Sequence, residues 1–555
     1  MKNRKVRKKI ALVMAVITCM LTACGGTGKS SSAIPPEEYG LNESGYPIVE
    51  EPITLKVAVA GAATNELNDT EMVKYIKEEF NIELDCVPYN GNDWSTEFTL
   101  MMAGDNLPDL VLNVSTGIVA INKYAEDGYF LAINDYLDYA PNLKSLMEKY
   151  PEYEKIITSA DGNIYGLTQV DENLYNRVNR CFIDQRWLAN VNMEMPTTLD
   201  ELYNVLKAFK EQDANGNGDP NDEIPLSDVT GFNRGLVPIL QAFDLPTNDM
   251  VGGRCVDDEG KVYFPYITEN YKAYLKYMNK LYEEGLLDNN VYVQTSDEYK
   301  EKIANETVGM YGAAAPYAYA GKNVEYDANF NSVMGLTSEW CEEGYYVMNS
   351  SVTTTVKALI SADTKYPEAC VRLLDYFCSE EGGLTACVGI EGVTYDLYEK
   401  DYAPGIPVQQ VRQPEGYSSP EEYRYKKAVI SSGFNILQPL EKDQPQVVSQ
   451  SSEEALYGDQ MVKDFGWYVL LERQMRNLKC VEGMTSLAYT EEESNRKSTI
   501  STDIKTYIKQ ITCQFVMGKA DIDEYWDTYI QTINQMGIEE WMEIEQTAYD
   551  RMTEK

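Results

Sequence analysis

Ile53-Thr54-Leu55-Lys56-Val57-Ala58-Val59-Ala60-Gly61 is an apolar, partly β-branched run that ends in small residues, and it predicts a strand running into a loop. Asn68 to Phe80 follows with Met72, Ile76 and Phe80 at i, i+4 and i+8, the spacing of an amphipathic helix. Ile82-Glu83-Leu84-Asp85-Cys86-Val87 predicts a second strand and Trp94 to Ala103 a second helix, closed by Gly104. Asp109-Leu110-Val111-Leu112 predicts a third strand. A β-α-β-α-β order argues for a parallel sheet with crossover helices, so the fold class is α/β.

Helices continue outward from this core. Leu199 to Gln212 is introduced by Thr197-Thr198, and Tyr271 to Glu284 aligns Tyr274, Met278 and Leu281 on one face. Tyr366 to Ser379 has Pro367 in its first turn. Ser501 to Met552 is helical apart from Gly518 and Gly537. Length alone allows about three or four domains. No second linker divides the chain after Pro52, so lobes built from interleaved segments are expected.

Before Ile53 the chain changes character. Residues 25–52 are rich in Gly, Ser, Pro and Glu and predict a flexible tether. Lys2, Arg4, Lys5, Arg7, Lys8 and Lys9 precede an apolar run, Ile10 to Leu21, that suits a secretory signal and is too short to span a bilayer. Leu21-Thr22-Ala23-Cys24-Gly25-Gly26 resembles a bacterial lipobox, with cleavage before Cys24 and a lipid on its thiol. An ordinary secretory signal with an incidental Cys is the alternative, and it also leaves the protein outside the cell. The body is expected to be held to the membrane by the lipid anchor alone. Ala23-Cys24-Gly25-Gly26-Thr27-Gly28-Lys29-Ser30 imitates a phosphate-binding loop, but it lacks the strand before and the helix after that such a loop needs. The expected organisation is a signal at 1–23, a tether at 24–52, one lobe from 53–170 with a return segment at about 352–410, and a second lobe from 171–351 with a C-terminal helical segment at about 411–555.

Composition excludes whole classes of chemistry. The chain has 88 Asp and Glu against 48 Lys and Arg, a net charge of −40, which disfavours nucleic acid and anionic membrane surfaces as partners. It also disfavours polyanionic sugars, mildly. There is no histidine, so Ser-His-Asp and Cys-His catalysis and His-ligated metals are absent. Eleven cysteines include no CxxC pair; apart from Cys19 in the signal and Cys24 at the anchor, the nine in the body read as small buried apolar residues.

Two patterns carry binding chemistry. Asp213-Ala214-Asn215-Gly216-Asn217-Gly218-Asp219-Pro220-Asn221-Asp222-Glu223 places oxygen side chains at positions 1, 3 and 5 and Gly at 6, as in an EF-hand loop that holds Ca²⁺. Asp219 would add a backbone carbonyl. Position 12 is Ile224, so the acids Asp222 and Glu223 arrive early and either could close the shell; a polar Asn-Gly turn is the alternative. The second pattern is aromatic: 42 Tyr, 13 Phe and 6 Trp. Sugars stack apolar faces on such rings, and Tyr is rigid and amphipathic. By position between elements, the candidate ligand residues are Asn92, Trp94, Asn113, Ser115 and Trp187, with Tyr317, Trp340 and Trp467 behind them.

Several stretches together resemble the bacterial extracellular solute-binding proteins of ABC sugar importers, and most of all the large lipoproteins related to alginate-binding proteins. They are the lipobox through Cys24, Leu100 to Leu110, Asp161 to Leu167, Met195 to Leu202, Asp213 to Leu226 and Gly389 to Val393. The resemblance implies a two-lobed, type II periplasmic-binding-protein-like fold with a ligand cleft between the lobes. It also implies a structural Ca²⁺ at Asp213, Asn215, Asn217, Asp219, Asp222 and Glu223, no enzymatic activity, and a monomer that hands an oligosaccharide to permease subunits in the membrane. The alternatives are a sensory receptor for a membrane kinase and a secreted carbohydrate-active enzyme built on paired carboxylates.

Overall fold

The computed structural model of the protein describes residues 33–91, 93–104, 107–439 and 448–553. The strand Ile53–Ala60 pairs in parallel with Ile82–Tyr89 on one side and with Leu110–Leu112 on the other. The helices Glu71–Phe80 and Trp94–Ala103 make the two crossovers. The first helix starts one turn later than its apolar spacing suggests, because Thr70 caps it by accepting from Val73 N and Leu67–Asp69 forms a separate 3₁₀ turn. Met72, Val73, Ile76 and Phe80 bury against the sheet, and Asn81, at φ 60°, ends the helix.

The sheet does not stay parallel. Val352–Ile360 enters antiparallel to Leu110–Leu112 and to Gly166–Asp171, and Leu437–Gln438 completes six strands alongside Gly166–Asp171. A Cβ on Gly166 would lie 2.9 Å from Leu359 Cδ2 and 3.2 Å from Val356 Cγ1, so glycine is what lets these two strands close. A second sheet has the order Phe330–Ser332, Cys181–Asp184, Val308–Gly312, Ile224–Ser227. Each sheet has its own apolar core. The first gathers residues from Tyr39 to Val170, Val352 to Cys378 and Tyr423 to Leu437. Around the second sheet, the helices Leu199–Glu211 and Glu269–Glu283 pack with Glu491–Val516, Ile522–Gln535 and Ile538–Thr553.

Two expectations are corrected. The segment ahead of Ile53 is not all tether. From Ile34 onward it is anchored: Ile34 N donates to Lys365 O at 2.9 Å, and Ile48 N donates to Phe80 O at 3.2 Å. Tyr39, Ile48 and Val49 are buried in the first core, and Arg372 Nη2 donates to Gly45 O at 2.9 Å. Polar turns between these few apolar anchors hide them in the composition. The expected boundary near 410 also moves. Tyr423 to Leu437 pack in the first core, because Leu437–Gln438 pairs with Gly166–Asp171, whereas Ala403 and Val408 pack with the second lobe.

Ile48→Ala is expected to cost about 2–4 kcal/mol of stability by chemical denaturation, the loss for a fully buried large side chain. A change near zero would return this segment to the tether.

Candidate functional site

The two lobes face each other across a cavity of about 550 Å³. The first lobe supplies polar side chains from its strand ends: Gln169 and Asp171, Lys357 and Gln438, with Ser432 and Asn435 from the loop before Leu437. This is where an open sheet of parallel crossovers leaves room for a ligand. The second lobe supplies Tyr317, Phe465, Trp467 and Tyr468, with Ala314 and Ala315. Gln409, Glu421, Arg424 and Tyr425 close a further side.

The charges in the cavity are already engaged. Arg180 donates to Tyr175 O at 3.2 Å, to Ala314 O at 3.0 Å and to Asn176 Oδ1, and its guanidinium lies 3.8 Å from the Trp467 ring centroid. Arg424 pairs with Glu421 at 2.7 Å and donates to Cys387 O at 2.6 Å. Lys357 Nζ donates to Asn113 Oδ1 at 3.3 Å. Burial pushes the Asp171 carboxyl up to about 6, against hydrogen bonds from Asn173 N and Asn176 Nδ2. Burial likewise lowers Lys357 below the usual lysine range.

The candidates read from the sequence separate on this geometry. Tyr317 and Trp467 line the cavity. Trp467 is only 8 % exposed and stacks on Tyr468 with centroids 3.9 Å apart, and Tyr468 stands half-buried beside it. Asn113, at φ 54°, donates to Ala60 O at 3.0 Å and stands behind Lys357. Ser115 donates to Asn113 O and does not line the cavity. Trp94 is corrected to a core residue: it is 5 % exposed, donates from Nε1 to Val114 O, and packs on Tyr89 and Phe98. Its spacing with Phe98 and Met102 points that helix face at the sheet. Trp187 is corrected in the same way, buried 5.2 Å from Phe209 under the second sheet. Trp340 is exposed near Phe243, away from the cavity. Asn92 and Cys24 lie outside the described residues, as does the signal at 1–23. Reading the sequence alone misses Arg180, Lys357, Arg424, Tyr425 and Tyr468; the adjacent pairs Trp467-Tyr468 and Arg424-Tyr425 are the available signal.

The Asp213 loop joins the helix Leu199–Glu211 to the strand Ile224–Ser227. Asp222 accepts from Asn215 Nδ2 at 2.9 Å and Asn217 Nδ2 at 2.7 Å. Asp213 Oδ1 and Glu223 Oε2 are buried with no hydrogen-bond partner, and burial raises the Glu223 carboxyl. Two orphaned carboxylate oxygens in an Asn-rich loop fit a hard cation. Among the described residues, no three acidic or thiol side chains converge as a metal cluster.

Residues 71–393 match the model of the bacterial extracellular solute-binding proteins. The chain belongs to that family. It is 25 % identical over 559 residues to the fructooligosaccharide ABC transporter substrate-binding protein FusA of Streptococcus pneumoniae, covering 99 % of this chain and 98 % of FusA. Structures of FusA with kestose, and of its EF-hand mutant with fructo-nystose, superpose with a TM-score of 0.72 at 23 % identity, over 90 % of this chain and 99 % of theirs. The alginate-binding protein AlgQ2 without calcium ion gives a TM-score of 0.66 at 21 % identity, over 90 % and 99 %. These likenesses show the two-lobed fold, and the relatives are named as binding proteins rather than enzymes. No described helix is long and apolar enough to cross a membrane.

Trp94→Ala is expected to cost about 3–5 kcal/mol of fold stability. Ligand affinity per folded molecule should stay unchanged, because the ring is outside the cavity; a selective loss of affinity would put Trp94 back at the site.

Proposed function

We propose that this protein captures a neutral oligosaccharide in the interlobe cavity and delivers it to ABC permease subunits from the outer face of the membrane, held there by a lipid on Cys24. The observation that carries this is the pairing of walls. Half-buried Tyr317 and Tyr468 stand on one side, the amides of Gln169, Gln438 and Asn435 on the other, and the more exposed Tyr425 on a further side. Aromatic rings take the apolar face of a sugar and amides take its edge hydroxyls. Among the described lining residues both guanidiniums are spent on protein acceptors, Lys357 Nζ donates to Asn113 Oδ1, and Asp171 and Glu421 set two carboxylates beside these three cations, an arrangement that favours a neutral sugar over an acidic one. The relation to FusA along the full chain supports the same class.

Kestose and a digalacturonate serve as the test pair in thermal-shift and calorimetric titrations. Kestose should raise the melting temperature and digalacturonate should not. Tyr468→Ala should weaken kestose binding by about 1–3 kcal/mol with the fold intact. Tighter binding of digalacturonate would overturn the neutral reading.

We also propose that the Asp213 loop holds a structural Ca²⁺ and that Glu223, rather than Asp222, closes its shell, since the orphaned oxygen belongs to Glu223. Asn215, Asn217 and Asp219 would supply the remaining oxygens. Chelator should lower the melting temperature, Glu223→Gln should copy it, and Asp222→Asn should do so less. An unaltered melting temperature in chelator, with no metal in the purified protein, would remove the site.

A further inference from the structure

The aromatic wall of the cavity comes from two helices far apart in sequence, Pro316–Ala320 and Trp467–Met475. One buried carboxylate joins them. Asp327 is 0 % exposed; its Oδ1 accepts from Tyr317 N at 2.7 Å and its Oδ2 from Trp467 N at 2.9 Å. Both donors sit in first turns, where backbone N–H groups have no partner within the helix. Among the described residues no Lys or Arg pairs with Asp327, and burial pushes its carboxyl up to about 8. Such a group is costly to bury. A serine would satisfy one of the two amides at lower cost; a carboxylate satisfies both at once.

The surrounding backbone is shaped for this contact. Gly466 precedes Trp467 at φ +51°, and a Cβ there would lie 2.6 Å from Asp327 Oδ2 and 2.8 Å from Val324 Cγ2. The linkage then closes on itself. Trp467 lies under the Arg180 guanidinium, and Arg180 is held to Ala314 O, just ahead of Tyr317. Asp327 thus sits in a ring of contacts that fixes the separation of the two aromatic segments.

We propose that Asp327 is a positioning residue for ligand binding, setting the spacing of Tyr317 and Trp467 and hence the shape of the wall that a sugar meets. This rests on the reading of the cavity as an oligosaccharide site. Asp327→Asn keeps the volume but turns an NH₂ toward one of the two amides, and Gly466→Ala pushes on the same carboxylate from another element. The full chain, labelled with 5-fluorotryptophan, is titrated with kestose, and the Trp467 fluorine resonance is identified with Trp467→Phe. Each variant should shift the Trp467 resonance before sugar is added, leave that of Trp94 in place, and weaken kestose binding by about tenfold or more per folded molecule. The loss should be smaller in a Tyr317→Ala background, because the two residues act together. Unshifted Trp467 resonance, or wild-type affinity in both variants, overturns the proposal. Failure of both variants to fold also overturns it and leaves Asp327 a stability residue. A wild-type protein that ignores kestose would sink the oligosaccharide reading alone, while the fluorine resonances still decide the positioning role.

Discussion

The return strand Val352–Ile360 is the constraint on which the molecule depends. It lies antiparallel between Leu110–Leu112 and Gly166–Asp171, so two stretches of the first lobe become neighbours only after the chain has built the second sheet and come back. Without it the first sheet falls into two pieces. The chain crosses between lobes at about 171–181 and 348–352, then again before Ala403, before Tyr423 and after Leu437, and these crossings hold the lobes face to face. The strand also carries register shifts between Val352 and Ala358, and a bulge of that kind re-aims side chains near a site. Lys357 lies within this irregular stretch and reaches the cavity.

Local order was legible because it depends on near neighbours. The spacing of Met72, Ile76 and Phe80 and the run Ile53–Ala60 are satisfied within one βαβ unit, and the structure follows them closely. The cavity was much less legible. Tyr317, Lys357, Arg424 and Trp467 come from four separated segments and meet only through the return strand and the crossings. Position in a βα loop misled at Trp94, where the apolar repeat with Phe98 and Met102 was the better guide. Composition misled before Ile53, where a few buried apolar residues outweigh a polar surround.

Charge is used unevenly in this acidic protein. At the surface most ion pairs are exposed and contribute little each. Inside, Glu545 is fully buried and accepts from Tyr489 Oη and Trp541 Nε1 at 2.6 Å, while Arg254 and Lys497 approach at 3.1 and 3.3 Å. Burial opposes ionisation of Glu545, yet the two cations and these donors hold its carboxyl below the usual range. That cluster ties Arg254, on a loop of the second lobe, to the C-terminal helices, and removing Glu545 would leave two cations facing each other with no anion between them.

Those C-terminal helices also touch the first lobe. Lys123 pairs with Glu491 at 3.0 Å, and Lys155 Nζ donates to Met552 O at 3.0 Å, both on exposed surface. Helices rooted in one lobe therefore rest on the other partly through exposed charge contacts, which dissolved ions weaken, and partly through Met552, which packs against the first core. Raised ionic strength is expected to slacken the charged part of this prop and to leave the packing of Met552 against the first core in place.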